Sequence, residues 1–319
     1  MRTKFFIAIL FTLYFSLNIT PSIFSQKNQS LKELVKETMN LQRQRKYWSG
    51  LSPFKEYITK SPQEMIANFK PYTGDSLEQV RSLAYDAIGI TGQKSTTPKI
   101  RQSAVDILIA GSMDKEASIR KNIGKMLSRY LKSDFTPTSK QKLADHLKLE
   151  TIYFQNTIKL IGFLDMNTQI PALNNLLNSD QITDHTLKWD IQLSLARLGD
   201  KDAVKHSVDL VRNAGINDKV IYNFFPDLSY TRSKEAVDYM IEILNRDTKD
   251  CFSPNPDNPV KISCAYQVME YLAPIIKDFP LQRDKNGELI ADDYEKALIS
   301  CREWFKQHTN DFIIDKQRF

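Results

Sequence analysis

The side chains with the widest chemical repertoire are few and scattered. Four histidines, His146, His185, His206 and His308, stand alone. None has a second histidine four residues away or a cysteine two or three residues off, and no H-E-x-x-H occurs. The spacing that lets two imidazoles share a zinc ion on one helix face is therefore missing. All four read as solvated helix-face or loop residues. Asp292-Asp293 is acidic enough for a cation, yet it stands where a helix begins and reads as an N-cap. There is no G-x-S-x-G, P-loop or G-x-G-x-x-G, and 10 glycines in 319 residues are few for folds built on phosphate loops. A nucleophile at Cys301 would need an orienting base that the sequence does not locate. No catalytic residue, metal or cofactor is nominated.

Binding chemistry is easier to find. Lys121, Lys125, Arg129 and Lys132 follow one another at steps of four, four and three, while Ile119, Ile123, Met126, Leu127 and Tyr130 take the opposite face. Such a basic stripe is either a solvated outer face or a dock for an acidic partner or polyanion.

The elements that must carry these residues are helices. Ser30-x-x-Glu33 and Asp75-x-x-Glu78 have capping-box spacing, and Ser61-Pro62 and Thr97-Pro98 put proline at the first helical position. Alternating strand patterns are nearly absent. The helices also recur. Ile88, Leu127, Ile161, Leu195 and Phe225 are equivalent positions, preceded four residues earlier by Ala84, Ile123, Thr157, Ile191 and Ile221. Eight residues earlier come Val80, Ile119, Tyr153, Leu187 and Asn217, and three later Thr91, Tyr130, Leu164, Leu198 and Leu228. These offsets trace one helix face, and recurrence every ~30–40 residues predicts stacked helical hairpins. Second helices are expected over 170–177, 204–211 and 235–244. Leu198-Gly199-Asp200 ends one helix on glycine and starts the next behind an acid. The stretch 150–156 resembles a protease tag site but falls inside this pattern and reads as native helix.

In Ile119-Arg120 to Leu127, and in Leu195-Ala-Arg-Leu-Gly-Asp-Lys-Asp-Ala-Val204, the chain resembles the HEAT-repeat family, especially the short bacterial type also called PBS-lyase-like. Val80-Arg81 repeats the Val/Ile-Arg step. The resemblance covers roughly 75–247 and loosely reaches 308. It implies an all-α solenoid of about six stacked antiparallel hairpins with helical N- and C-terminal caps. The expected divisions are a signal peptide over 1–25, a helical cap over 26–74, the repeat array over 75–247, and a Pro-rich loop with a final helical cap over 248–319.

HEAT proteins line their concave side with the second helices, so the resemblance places a polar stripe there. If 173, 176 and 177 face the core, then 171, 175 and 178 face away, the last two being Asn175 and Asn178. Their equivalents are Lys205, Asp209 and Arg212, then Glu235, Tyr239 and Glu242. Tyr239, with Arg212 one helix away, is the expected anchor for a protein partner. The other readings are a PBS-lyase-like or chaperone-like enzyme and an envelope protein that binds a polyanionic glycan.

Compartment is read from the first residues. Arg2 and Lys4 precede an apolar run over 5–17, and Ser25 precedes Gln26, a plausible cleavage point. An uncleaved anchor is the alternative, for which the apolar core is short. Cleavage predicts a secreted or periplasmic protein with no stable membrane span. With 44 Lys plus Arg against 38 Asp plus Glu before the leader is lost, the charge is too mild to argue for nucleic acid. An exported chain can hold disulfides. Cys251 and Cys264 bracket a proline-rich loop and are the favoured pair; Cys264–Cys301, or no bridge, are the alternatives.

Overall fold

The structure, a computed structural model, describes residues 29–47, 49–148, 157–254, 257, 259–284, 287–309 and 311–319. The leader with its Ser25–Gln26 junction lies outside the described residues, as does the stretch 150–156 with Tyr153.

The chain is all-α. Helices α1 (Leu31–Arg43), α2 (Lys55–Lys60) and α3 (Pro62–Phe69) come first. Next are α4 (Glu78–Lys94), α5 (Pro98–Gly111), α6 (Ala117–Leu127), α7 (Pro137–His146), α8 (Ile158–Phe163) and α9 (Ile170–Leu177). Then come α10 (His185–Arg197), α11 (Lys201–Asn213), α12 (Asp218–Thr231), α13 (Lys234–Leu244), α14 (Ala265–Leu272) and α15 (Tyr294–Gln307). Two short strands, β1 (Cys251–Phe252) and β2 (Lys261–Ile262), pair antiparallel at the base of the proline-rich loop. Among the described residues no helix is long and apolar enough to cross a membrane.

Local chemistry explains most boundaries. Ser30 and Glu33 form a reciprocal capping box on α1. Pro62 and Pro98 open α3 and α5, where a missing N–H leaves no bond unmade. Gly199, at φ +91°, reverses the chain after α10, and Asp200 then accepts the Ala203 N–H at 2.9 Å to start α11. Asp293 caps α15 through the N–H groups of Glu295 and Lys296. A small hairpin between Leu281 and Ile290 carries an antiparallel bridge from Arg283 to Leu289. Asp75 departs from its expected role: α4 begins at Glu78, and Asp75 instead accepts the Leu77 N–H and pairs with Arg43 at 2.7 Å.

The recurring apolar positions are core. Ile88, Leu127, Ile161, Leu195 and Phe225 are all at most 1% exposed, and the residues four before them are buried with them. In the next ring, among the described residues, Asn217 is the exception, because it caps α12 by accepting the Val220 N–H. Helix α4 packs on α5 and α6, α8 on α10, α10 on α9, α11 and α12, and α12 on α13 and α14. The apolar interior divides within α11, with Val204 in one cluster and Val208 in the next. Phe319 breaks the chain order by packing on the first of these clusters.

Candidate functional site

The residues expected to form a groove are only partly brought together. Asn175 on α9 and Asn178 just past its end are exposed, and Asn178 donates back to the Asn174 carbonyl of that helix. Lys205 and Asp209 pair with each other along α11. Arg212 reaches across to α13 and meets Glu242 at 3.1 Å, while Glu235 stays exposed. Tyr239 is not an outward anchor. It is 2% exposed, packs on Phe225, and is roofed by the Arg212 guanidinium 4.6 Å from its ring centre. The reason is the width of the apolar face. Helix α13 is packed by α11, α12 and α14, so Ala236, Val237, Tyr239, Met240, Ile243 and Leu244 are all buried.

The basic stripe is also interrupted. Lys121 and Lys125 are exposed on α6, but that helix ends at Leu127, so the four-residue step no longer holds for Arg129 and Lys132. Lys132 folds back to pair with Asp165 at 2.6 Å, its ammonium 5.5 Å from the Phe163 ring centre.

No group of three or more His, Cys, Asp and Glu that could hold a metal occurs among the described residues. Cys251 and Cys264 form a disulfide with Cα atoms 5.1 Å apart. Cys301 is a free, fully buried thiol whose pKa burial pushes up to about 12, so it offers no thiolate near neutrality. Nothing in the arrangement indicates catalysis.

The most developed polar site lies where α8, α10 and α12 end. Arg197, the last residue of α10, is 7% exposed, and Arg232, just past α12 at φ +52°, is 5% exposed. Neither is bridged by a carboxylate side chain among the described residues. Main-chain oxygens surround them instead. Arg197 Nη1 donates to Tyr230 O at 2.6 Å, and its Nη2 donates to Arg318 O at 2.8 Å and Lys316 O at 3.4 Å. Arg232 Nε donates to Asp315 O at 2.9 Å, Nη2 to Phe319 O at 3.0 Å, and Nη1 to Ser229 O.

Residues 313–319 thus lie as an extended segment across the helix ends. Their path begins as a strand-like pairing in which Lys277 N donates to Ile313 O at 2.9 Å and Asp315 N to Ile275 O at 2.8 Å. It finishes in an aromatic slot. The Phe319 ring meets Phe163 at 5.5 Å and Tyr230 at 5.2 Å between centroids. Arg197 stands 4.8 Å from the Tyr230 ring centre and 5.3 Å from that of Phe163. Burial pulls the Arg232 pKa down to about 9, assisted by the like charge of Arg197, and burial also lowers Arg197. Two cations held this close in a dry place need acceptors, and carbonyl oxygens of an extended chain supply them.

Sequence reasoning missed this site. Arg197 lies inside the Leu195-Ala-Arg stretch, where it reads as part of a fold motif, and nothing local couples it to residues more than a hundred positions later. Comparison with known families finds no model that matches the chain, and comparison with characterised proteins finds none similar to it.

Proposed function

We propose that the chain is an exported HEAT-like α-solenoid of about six hairpins that acts as a protein-binding scaffold, and that its ligand is an extended polypeptide segment carrying an aromatic residue. One observation carries this reading: residues 315–319 lie across the ends of α8, α10 and α12, with three of their carbonyls and the Phe319 main-chain oxygen on Arg197 and Arg232 and the Phe319 ring between Phe163 and Tyr230. Backbone carbonyls are common to every polypeptide, so the two arginines supply affinity and the aromatic slot supplies choice. The stacked-hairpin architecture is supported by the buried equivalent positions and by two buried or half-buried ion pairs, Arg81–Asp114 and Arg101–Asp134, each spanning 33 residues. The polyanion reading loses support because Lys132 is engaged with Asp165.

A fluorescent peptide with the sequence of residues 311–319 tests the proposal by anisotropy against the full chain. The tethered segment competes at an effective concentration on the order of millimolar, so the unaltered chain should bind the free peptide weakly. Phe319→Ala should loosen the tethered copy and tighten peptide binding by about tenfold or more. Adding Arg232→Ala should remove that binding. A Phe319→Ala chain that keeps its helical spectrum, exchanges its 315–319 amides faster, and still fails to bind the peptide would overturn the reading.

A further inference from the structure

A second site lies beside the first turns of α12, at the opposite end of that helix in chain order from Arg232. Helices α12, α14 and α15 enclose a cleft of about 530 Å³ whose wall is largely phenolic: Tyr222 from α12, Tyr266 and Tyr271 from α14, and Tyr294 at the start of α15. The volume falls within the ~300–1,000 Å³ of ordinary small-molecule sites. Tyr266 and Tyr294 stand edge to face at 6.5 Å between centroids. Tyr222 is 53% and Tyr294 41% exposed, so these rings do not serve the core. The strand pair β1–β2 borders the cleft through Ile262, and the Cys251–Cys264 disulfide ties that border to the first turn of α14.

The polar groups among the rings are of one kind. Glu270 presents its carboxylate from α14, held by the Tyr294 hydroxyl at 2.8 Å and the Leu289 N–H at 3.3 Å. Gln267 donates its amide to Tyr222 Oη at 3.1 Å and to Asp218 at 3.4 Å, which leaves its Oε1 buried with no hydrogen bond. No lysine, arginine or histidine lines the cleft among the described residues. A phosphate, sulfate or carboxylate would find no opposite charge there and would face the Glu270 carboxylate. A cation would meet a wall of phenol rings, whose π systems attract positive charge, and a fixed carboxylate.

We infer that the Tyr222–Tyr266–Tyr271–Tyr294 cleft is a binding site for an alkylated organic ammonium, with Glu270 as its counter-charge. The apolar walls take the alkyl groups, the ring faces take the diffuse positive charge, and the acceptors on Gln267 and Glu270 orient any N–H or O–H the ligand carries. The disulfide makes the border rigid, so little ordering opposes binding.

Choline titrated into the full chain by calorimetry is the probe, with 3,3-dimethylbutan-1-ol, its neutral isostere, as the control for grease alone. Choline should bind saturably and about tenfold or more tighter than the isostere. Tyr266→Ala and Glu270→Gln should each weaken it by a similar factor. Tyr222→Ala, at an exposed ring that the fold does not need, gives the same reading if either of those variants fails to fold. Equal binding of choline and its isostere, no saturation at about 10 mM choline, an ordinary weak-site limit, or a simple sugar bound in preference to choline would each overturn the inference.

Discussion

Arg81 and Asp114 meet as a buried fork: Nε and Nη2 of one reach Oδ2 and Oδ1 of the other at 2.7 and 2.8 Å, with side chains 5% and 6% exposed. The remaining nitrogen, Nη1, donates to the carbonyls of Asp75 and Ser76, in the turn that leads into α4. One guanidinium therefore closes the entry to its own helix and ties it to the entry of α6. Arg101 does the same with Asp134 and the carbonyls of Ser95 and Thr96. Arg120 likewise closes the entry to its own helix, its Nη1 donating to the Asp114 and Lys115 carbonyls. Burial alone would raise the Asp114 pKa, but the Arg81 hydrogen bonds and charge hold it below the usual carboxylate value.

Arg81→Ala should therefore destabilise the chain by about 3–5 kcal/mol, because it leaves a carboxylate buried without its partner. Arg81→Lys restores the charge but not the fork, and should recover only part of that loss. Denaturant midpoints measure both. A midpoint unchanged in Arg81→Ala would mean that the fork contributes nothing.

Helix α8 should tolerate no side chain at Gly162. A Cβ there would lie 2.9 Å from Ser194 O and 3.0 Å from Ser194 Cα, both backbone atoms of α10, and 2.6 Å from the Tyr230 hydroxyl. At Gly89 the three atoms nearest the added carbon all belong to the Met126 side chain, whose sulfur lies 2.3 Å away. Gly162→Ala should cost about 1–3 kcal/mol by forcing two helices apart, and Gly89→Ala clearly less. Thermal unfolding of the two variants side by side decides this; the reverse order would place the tight contact elsewhere.

These cases also explain what was legible beforehand. The periodic apolar positions, the proline-opened helices and the Gly199-Asp200 junction were readable because each depends on neighbours within one or two turns. The face of Tyr239 was not, since three packed helices widened the apolar side of α13 beyond a simple stripe. Lys132 left its stripe because α6 stops at Leu127, one turn before the pattern does. The Arg197–Arg232 site joins residues about 120 and 85 positions apart from their acceptors, a separation over which sequence pattern carries no geometry.

The cysteines give a direct chemical test. Cys251–Cys264 closes a short loop at the edge of the structure, and Cys301 faces the interior of α15 against the core. In the oxidised native chain, iodoacetamide should label no thiol until denaturant is added, after which one site reacts. Reduction should free two further thiols and cost about 2–4 kcal/mol of stability. Labelling of Cys301 in the native state would contradict its burial, since an enclosed thiol with a pKa pushed to about 12 is neither accessible nor ionised.

The last expectation concerns pH. Asp190 on α10 lies 3.6 Å from Lys159 Nζ, but Lys159 is closer to Asp227, at 2.8 Å, and Asp227 also accepts the Trp189 indole N–H at 2.6 Å. Two carboxylates thus share one ammonium, and Asp227 holds the better position. Burial raises the Asp190 pKa from the ordinary 3.8 to about 6, the charges of Asp227 and Asp184 add to it, and Lys159 opposes it only in part. Between those two values the folded chain holds a proton that the unfolded chain has released, so stability falls as pH rises through this window. At neutral pH Asp190 is ionised at a cost. Asp190→Asn should therefore stabilise the chain by about 1–2 kcal/mol at pH 7, below the ~3 kcal/mol full equivalent of the shift because the side chain is still in partial contact with water. Below about pH 4, where both forms are neutral, the difference should vanish. Urea midpoints of the two proteins at pH 4 and pH 7.5 measure it. If Asp190→Asn is the less stable protein at pH 7.5, the Lys159 attraction outweighs burial and the ammonium is shared evenly between the two carboxylates.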